Sequence, residues 1–314
     1  GESTSIIGIK YRQRRAGGRS RLVIPAAATL SLTVAYSIAF HSGRDGGRGA
    51  LHPSRRAGGW SFDAVPPIEE SPPKTSAEPL VPRRMVFTYK YNLLDGRPRD
   101  RIPIQERPFY DNVLKTIAAY RSSWNDANAE VAFLDDTACV DVINATEPAL
   151  LPLFYRKKGM YKADICRAAE LYRNGGYYFD IDMEVIHPYV APHNASFVSV
   201  WGAVFHEFFQ SFLASAPGNP VVGQSLRLML DYDKGTVCQR KNVGPCTLVQ
   251  AYEAAPEGER KKAVLLTESS IRILSYANIT ERGGKPTCNV VVHDPIKEKV
   301  YFYSRIIGSK HCKK

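Results

Sequence analysis

The stretch that decides the fold of this 314-residue chain runs from Tyr161 to Glu184 and reads YKADICRAAELYRNGGYYFDIDME. Its first part predicts a helix, because apolar or small residues recur at helical spacing, at Ile165, Ala168, Ala169 and Tyr172. Asn174-Gly175-Gly176 supplies a C-terminal stop. The residues 177–181 that follow are strongly β-prone. The stretch therefore predicts a helix that leads directly into a strand.

The end of this strand carries two carboxylates, Asp180 and Asp182. They point to the same face if the strand continues, and they can still converge on one ion if the chain bends there. Two neighbouring carboxylates in a cleft repel each other unless a cation joins them, so the pair predicts a site for a divalent ion with oxygen ligands. Asp164 and Arg167, at helical spacing i and i+3, share a helix face near this end of the sheet. Arg167 is a candidate to hold a phosphate or a hydroxyl oxygen, and Asp164 is a candidate to accept hydrogen bonds from hydroxyl groups.

Strands and helices alternate along the rest of the chain. A strand at 85–89, a helix around 113–120 and a strand at 131–134 precede the central stretch. A helix near 221–230 and strands near 263–266, 290–293 and 300–303 follow it. This alternation predicts an α/β fold with a mostly parallel central sheet covered on both faces, and ligands bind beyond the carboxyl ends of such strands.

Most of the net charge of +11 lies near the N-terminus, where residues 1–59 carry ten Lys or Arg against Glu2 and Asp45. Six of these cations precede an apolar run, Leu22 to Phe40, which is long enough to cross a bilayer. The positive-inside rule predicts a cytosolic tail over 1–21, a transmembrane signal anchor over 22–40, a Gly/Pro-rich stem over 41–84 and a lumenal domain over 85–314. A cleaved signal peptide is the alternative. The cations flank a membrane run and no recognised binding motif follows, which excludes nucleic acid as the expected partner.

The six cysteines form no C-x-x-C pair of the kind that binds structural zinc. In an oxidising lumen, Cys238 with Cys246 and Cys288 with Cys312 are possible disulfides, although sequence alone leaves the connectivity open. Three N-x-[ST] sequons, at Asn144, Asn194 and Asn278, are compatible with that compartment.

Two motifs in the central stretch resemble a known family. The pattern K-A-D-x-x-R followed by Y-x-x-G-G-x-Y-x-D-x-D, over Tyr161 to Pro188, resembles the sugar-binding DXD signature of glycosyltransferase family 32. The segment Phe209 to Pro220 resembles the family's segment after the metal strand, and Val243 to Thr247 resembles its T-G-P loop. The departure is at the C-terminus, where Lys310 stands in place of the usual Trp.

The resemblance implies a GT-A fold, a Mn²⁺ or Mg²⁺ ion on the DXD motif and retention of anomeric configuration. It assigns Asp180 and Asp182 to the metal. It assigns the binding of a nucleotide-sugar donor to Tyr161, Asp164, Arg167 and Asp180. Ser309 or His311 would complete the metal coordination, or would belong to a basic tail.

The expected activity is transfer of a hexose, such as mannose or galactose, from a GDP- or UDP-sugar to a glycan or glycolipid acceptor. The expected location is the Golgi or ER membrane, as a single-pass type II protein with a lumenal catalytic domain. A non-catalytic type II membrane protein that keeps the fold and binds glycans or partners is the alternative.

Overall fold

The computed structural model describes residues 78–203, 207–238, 242–279, 281–282, 285–308 and 312. The predicted cytosolic tail, the predicted anchor and residues 41–77 of the predicted stem lie outside the described residues. Within the described ranges, no helix is both long enough and apolar enough to cross a membrane.

Nine strands and seven α-helices make up the described part of the chain. The strands are β1 Arg84–Thr88, β2 Glu130–Leu134, β3 Gly176–Phe179, β4 Glu184–Val185, β5 Phe197–Trp201, β6 Phe212–Ser215, β7 Ala263–Ser270, β8 Val290–Asp294 and β9 Lys299–Tyr303. The helices are α1 Arg107–Trp124, α2 Asp136–Thr146, α3 Leu151–Arg156, α4 Met160–Asn174, α5 Pro220–Asp233, α6 Val243–Ala254 and α7 Glu257–Arg260. The elements predicted from periodicity are confirmed, including the helix that leads directly into a strand.

The strands form one sheet in the order β2-β1-β3-β6-β5-β7-β8-β9-β4. β1 pairs in parallel with β2 and β3, and β5 pairs in parallel with β7, whereas the other five pairings are antiparallel. The prediction of a mostly parallel sheet was therefore wrong, and the sheet is mixed. For two of the five antiparallel pairings, β5–β6 and β8–β9, the reason is a short connection, which allows only antiparallel pairing.

Both faces of the sheet are buried, as the sequence predicted. Side chains alternate along β1, where Met85 and Phe87 pack in one core cluster and Val86 in the other. β3 repeats the pattern with Tyr177 and Phe179 against Tyr178. Helix α1 covers the first face, while α2, α4, α5 and α6 cover the second. This layered packing holds the carboxyl ends of β1 and β3 side by side.

Two glycines make the tight junction between α4 and β3. Gly175 and Gly176 have φ values of +66° and +111°, which side chains rarely adopt. A Cβ on Gly175 would lie 2.7 Å from Pro217 Cδ, and one on Gly176 would lie 2.7 Å from the carbonyl oxygen of Arg84. The Gly-Gly stop is confirmed, and it sets where the strand delivers Asp180.

Three disulfides link the described cysteines. Cys238–Cys246 and Cys288–Cys312 are the two pairs that the sequence suggested. The third, Cys139–Cys166, joins α2 to α4 across 27 residues and was not predicted. It ties the helix that carries Asp164 and Arg167 to its neighbour.

Candidate active site

The carboxyl end of β3 turns sharply instead of continuing as a strand. β3 ends at Phe179, and the N–H of Met183 donates to the carbonyl oxygen of Asp180 at 3.1 Å, which closes a turn over Asp180 to Met183. Of the two arrangements expected for the DXD motif, the bend is the one observed. Asp180 and Asp182 both reach the same cleft from this turn.

The carboxylate of Asp180 is held by three side-chain donors. Tyr178 Oη donates to its Oδ1 at 2.6 Å, and Ser211 Oγ donates to its Oδ2 at 2.8 Å. Arg167 Nη1 lies 3.3 Å from Oδ1. Because Tyr178 donates to Asp180, Thr88 donates to Tyr178 Oη at 2.9 Å. These contacts fix the carboxylate in one orientation at the end of the sheet.

Arg167 is buried, with 4% of its side chain exposed. Its Nε donates to Ala163 O at 3.1 Å, its Nη1 to Gln210 O at 2.5 Å, and its Nη2 lies 2.9 Å from Asp164 Oδ1. With the contact to Asp180, four of the five N–H directions of the guanidinium have protein acceptors. Most of the N–H groups of Arg167 are therefore directed at protein acceptors, although the residue also lines the cleft.

Asp164 lies behind Arg167, 5% exposed. Burial raises the pKa of Asp164 to about 6, against the opposing effect of the Arg167 charge. The first turn of α6 covers it, since Gly244 N donates to Asp164 Oδ2 at 3.3 Å. A Cβ on Gly244 would lie 2.3 Å from Gln210 Oε1 and 2.4 Å from Asp164 Cγ, so any side chain there would force these neighbours to shift.

Asp182 has different surroundings. Arg305 Nη1 donates to its Oδ2 at 3.2 Å, and 23% of the Asp182 side chain is exposed. Burial, and after it the negative charge of Asp180, raise the pKa of Asp182 to about 6. The two DXD carboxylates are thus close enough to repel each other.

A cavity of about 650 Å³ opens in front of these residues. It lies beyond the carboxyl ends of β1 and β3, where the sequence predicted a ligand site, and its size suits a small organic ligand. Cations outnumber acids along its wall, which favours an anionic ligand. The charged lining residues are Lys90, Asp136, Lys157, Lys158, Lys162, Arg167, Asp180 and Asp182.

The donor set at the turn fits a hard divalent cation. Asp180 and Asp182 present carboxylate oxygens to the cavity, and their mutual repulsion is what a cation would relieve. Among the described residues, no three His, Cys, Asp or Glu side chains gather into a metal cluster. Ser309 and His311, the predicted additional ligands, lie outside the described residues.

The residues predicted to bind the donor or the metal are only partly brought together. Arg167, Asp180 and Asp182 line the cavity, and Asp164 contacts Arg167 from behind. Tyr161 is not among the lining residues, and its hydroxyl donates to Asn242 Oδ1 at 3.3 Å.

Sequence reasoning missed four residues of the site. Tyr178 had a usable signal, because it stands two residues before Asp180 on the same face of the strand. Ser211 and Gln210 fall in the segment 209–220 that carried the resemblance, but nothing in their types marked them. Arg305 is 123 residues from Asp182 and had no signal in the sequence.

Residues 111–198 match the family model described as the glycosyltransferase sugar-binding region containing DXD motif. That range includes α4, the Gly-Gly junction, β3 and both DXD carboxylates. The chain is therefore a transferase of the glycosyltransferase class, and the resemblance found in the sequence is confirmed at this level. The match spans less than a third of the chain and does not single out family 32.

Solved structures overlap the chain in part. One described as "PaToxG Glycosyltransferase" shares 18% identity over 59% of this chain and 73% of its own length, with a TM-score of 0.41. A transferase mutant shares 12% identity over 58% of this chain and 90% of its own length, with a TM-score of 0.36. No curated protein sequence matches this chain.

Proposed function

We propose that this chain is a metal-dependent, retaining glycosyltransferase with a GT-A fold. It transfers a hexose from a GDP- or UDP-sugar to a glycan or glycolipid acceptor. The observation that carries the proposal is the DXD turn, which presents Asp180 and Asp182 to a cavity with a mainly cationic wall. The match over residues 111–198 supports the sugar-binding role of the same segment.

Asp180 and Asp182 would hold Mn²⁺ or Mg²⁺. The bound ion would supply positive charge to the departing nucleoside diphosphate, acting as a Lewis acid for the leaving group. The protein's own part is to fix Asp180 through Tyr178, Ser211 and Arg167, so that the carboxylate needs no reorganisation when the ligand binds.

The lysines of the cavity wall support an anionic donor. Lys158 is exposed, and Lys90 and Lys157 also border the cavity. Lys162 is paired with Asp136 at the same wall. Ammonium groups at the cavity attract phosphate oxygens and raise the local concentration of a charged donor.

The proposed location is the lumen of the Golgi or ER, with the catalytic domain held by the N-terminal anchor. Exposure of the three sequon asparagines, Asn144, Asn194 and Asn278, is compatible with glycans there. The three disulfides suit the same oxidising compartment.

The test is a donor screen with the purified lumenal part. Hydrolysis and transfer are measured for a panel of UDP- and GDP-hexoses with Mn²⁺, with Mg²⁺ and after chelation. We expect turnover of one nucleotide class that disappears on chelation and returns with Mn²⁺. Turnover that is unchanged by chelation would contradict the metal-dependent assignment.

A further inference from the structure

Asp182 already has a cationic partner in this structure. The Nη1 atom of Arg305 lies 3.2 Å from Asp182 Oδ2, and 34% of the Arg305 side chain is exposed. Within the ranges that the structure describes, Asp182 is the one side chain that forms a hydrogen bond or an ion pair with the guanidinium. A positive charge from the protein thus stands beside the carboxylate assigned to the metal.

The backbone that carries Arg305 is anchored by hydrogen bonds that do not involve the Arg305 guanidinium. The N–H of Ile306 donates to Asp182 O at 2.7 Å. Arg282 Nη1 donates to Arg305 O at 2.9 Å, and Arg282 also pairs with Glu184 at 2.7 Å. Because these bonds hold the main chain, the guanidinium can leave Asp182 without any movement of the segment.

A divalent cation on Asp182 changes the electrostatics of this pair. It places positive charge next to the Arg305 guanidinium, so that the former attraction becomes a repulsion. A nucleoside diphosphate brings negative oxygens to the same place, and a guanidinium binds such oxygens through two parallel hydrogen bonds. A cation that binds alone therefore displaces Arg305 and loses the free energy of the Arg305–Asp182 pair. When a diphosphate binds with the cation, the diphosphate offers Arg305 a new partner.

We propose that Arg305 is an exchangeable counter-ion of the DXD turn. It pairs with Asp182 before ligands bind and transfers to the diphosphate of the donor when a divalent cation takes its place. The cation and the nucleotide consequently bind with positive cooperativity, and the cation alone binds weakly. The inference rests on the proposed function and adds to it a residue that couples the two ligands.

The experiment measures Mn²⁺ binding by the electron paramagnetic resonance of free Mn²⁺, which does not depend on turnover. Wild type and Arg305→Gln are titrated with Mn²⁺ alone, with UDP and with GDP. Arg99→Gln is the matched control, because Arg99 forms an exposed ion pair with Asp111 away from the cavity wall. Melting curves are recorded for every protein.

In wild type, we expect one nucleotide to lower the Mn²⁺ dissociation constant by about tenfold or more. Arg305→Gln should bind Mn²⁺ alone about threefold to tenfold more tightly than wild type, since a partly exposed ion pair no longer competes. The factor by which the nucleotide tightens Mn²⁺ binding to Arg305→Gln should be smaller than in wild type by a similar amount. Arg99→Gln should behave as wild type.

Each contrary result has its own meaning. If wild type shows the coupling and Arg305→Gln equals it in all three titrations, the role of Arg305 is overturned while the proposed function stands. If wild type binds no Mn²⁺ with either nucleotide, the proposed function fails and the inference fails with it. Should Arg305→Gln not fold, Arg305→Lys decides: retained coupling supports the inference, and Mn²⁺ binding that is as tight without nucleotide as with it overturns it.

Discussion

Two arginine–carboxylate pairs stand at the same turn, and they differ in almost every physical respect. Arg167 is 4% exposed and has contacts to four protein acceptors, among them Asp164 and Asp180. Arg305 is 34% exposed and, within the described ranges, its guanidinium has Asp182 as its one hydrogen-bond and ion-pair partner. The same two chemical groups thus form a fixed pair in one place and an exchangeable pair in the other.

The difference follows from packing. Partners from α4, from the end of β3 and from the segment before β6 surround the Arg167 guanidinium, and α6 covers Asp164, so water has little access to the Arg167–Asp164 pair. A buried charge that loses its partner is strongly destabilising, whereas an exposed ion pair contributes little because water competes for both groups. The first pair therefore belongs to the structure of the site, and the second is available for ligand exchange.

Asp182→Asn should produce the largest effect. The amide keeps the shape and removes one negative charge, so metal-dependent sugar transfer should fall by about 100-fold or more. Melting temperature should be unchanged or higher, since repulsion from Asp180 is relieved. Transfer and nucleotide release are measured across a Mn²⁺ titration, with Asp233→Asn at an exposed ion pair as the control. Wild-type activity of folded Asp182→Asn at every Mn²⁺ concentration would remove the catalytic assignment.

Arg167→Ala tests whether the first pair is truly fixed. Removing the guanidinium leaves Asp164 buried without its counter-charge, which should lower the free energy of unfolding by about 3–5 kcal/mol. Donor binding should weaken by about tenfold or more. Urea denaturation is compared with Arg156→Ala, which breaks an exposed pair with Asp233, and with Arg305→Gln. If Arg167→Ala is as stable as these two, the contrast between the pairs is wrong.

The pH dependence of stability sharpens the same contrast. The folded state raises the pKa of Asp164 to about 6, above the value of 3.8 for the free side chain. The folded protein therefore binds the proton of the Asp164 carboxyl group more tightly than the unfolded chain does. The stability that this protonation contributes is fully present below about pH 4 and is lost as the pH rises to about 6. Relative to Asp164→Asn, wild type should lose at most about 3 kcal/mol across this window. Parallel curves of unfolding free energy against pH for the two proteins between pH 4 and 6 would contradict the raised pKa of Asp164.

Gly244→Ala should have the smallest effect of the four. The new methyl would lie under 2.5 Å from Gln210 and Asp164, so α6 or these two side chains must shift. This shift should lower the free energy of unfolding by about 1–3 kcal/mol. Gly258→Ala in α7 is the matched control, because its Cβ meets nothing within 4 Å, and it should be neutral or stabilising by up to about 1 kcal/mol. Thermal unfolding compares the two proteins. Equal stability of Gly244→Ala and Gly258→Ala would show that α6 does not pack closely against Asp164.

Much of the fold was predictable because its signals are local. The periodicity of α4, the Gly-Gly stop and the aromatic run of β3 lie within 24 consecutive residues. The prediction that most strands pair in parallel was wrong, because pairing direction depends on the order of the strands in the sheet. The sequence did not reveal that β5–β6 and β8–β9 are antiparallel pairs joined by short connections. The disulfide Cys139–Cys166 was missed because it forms only where α2 packs against α4.

By itself, the sequence determined that Asp164, Arg167, Asp180 and Asp182 belong to one helix–strand unit, because their spacing places them at its ends. Only the tertiary structure decided what each of them does. Packing surrounded the Arg167 guanidinium with protein acceptors, and the return of the chain after β9 brought Arg305 to Asp182 from 123 residues away. The physical reason is that spacing sets which side chains share an element, whereas burial and charge partners come from segments that pack on that element from elsewhere in the chain.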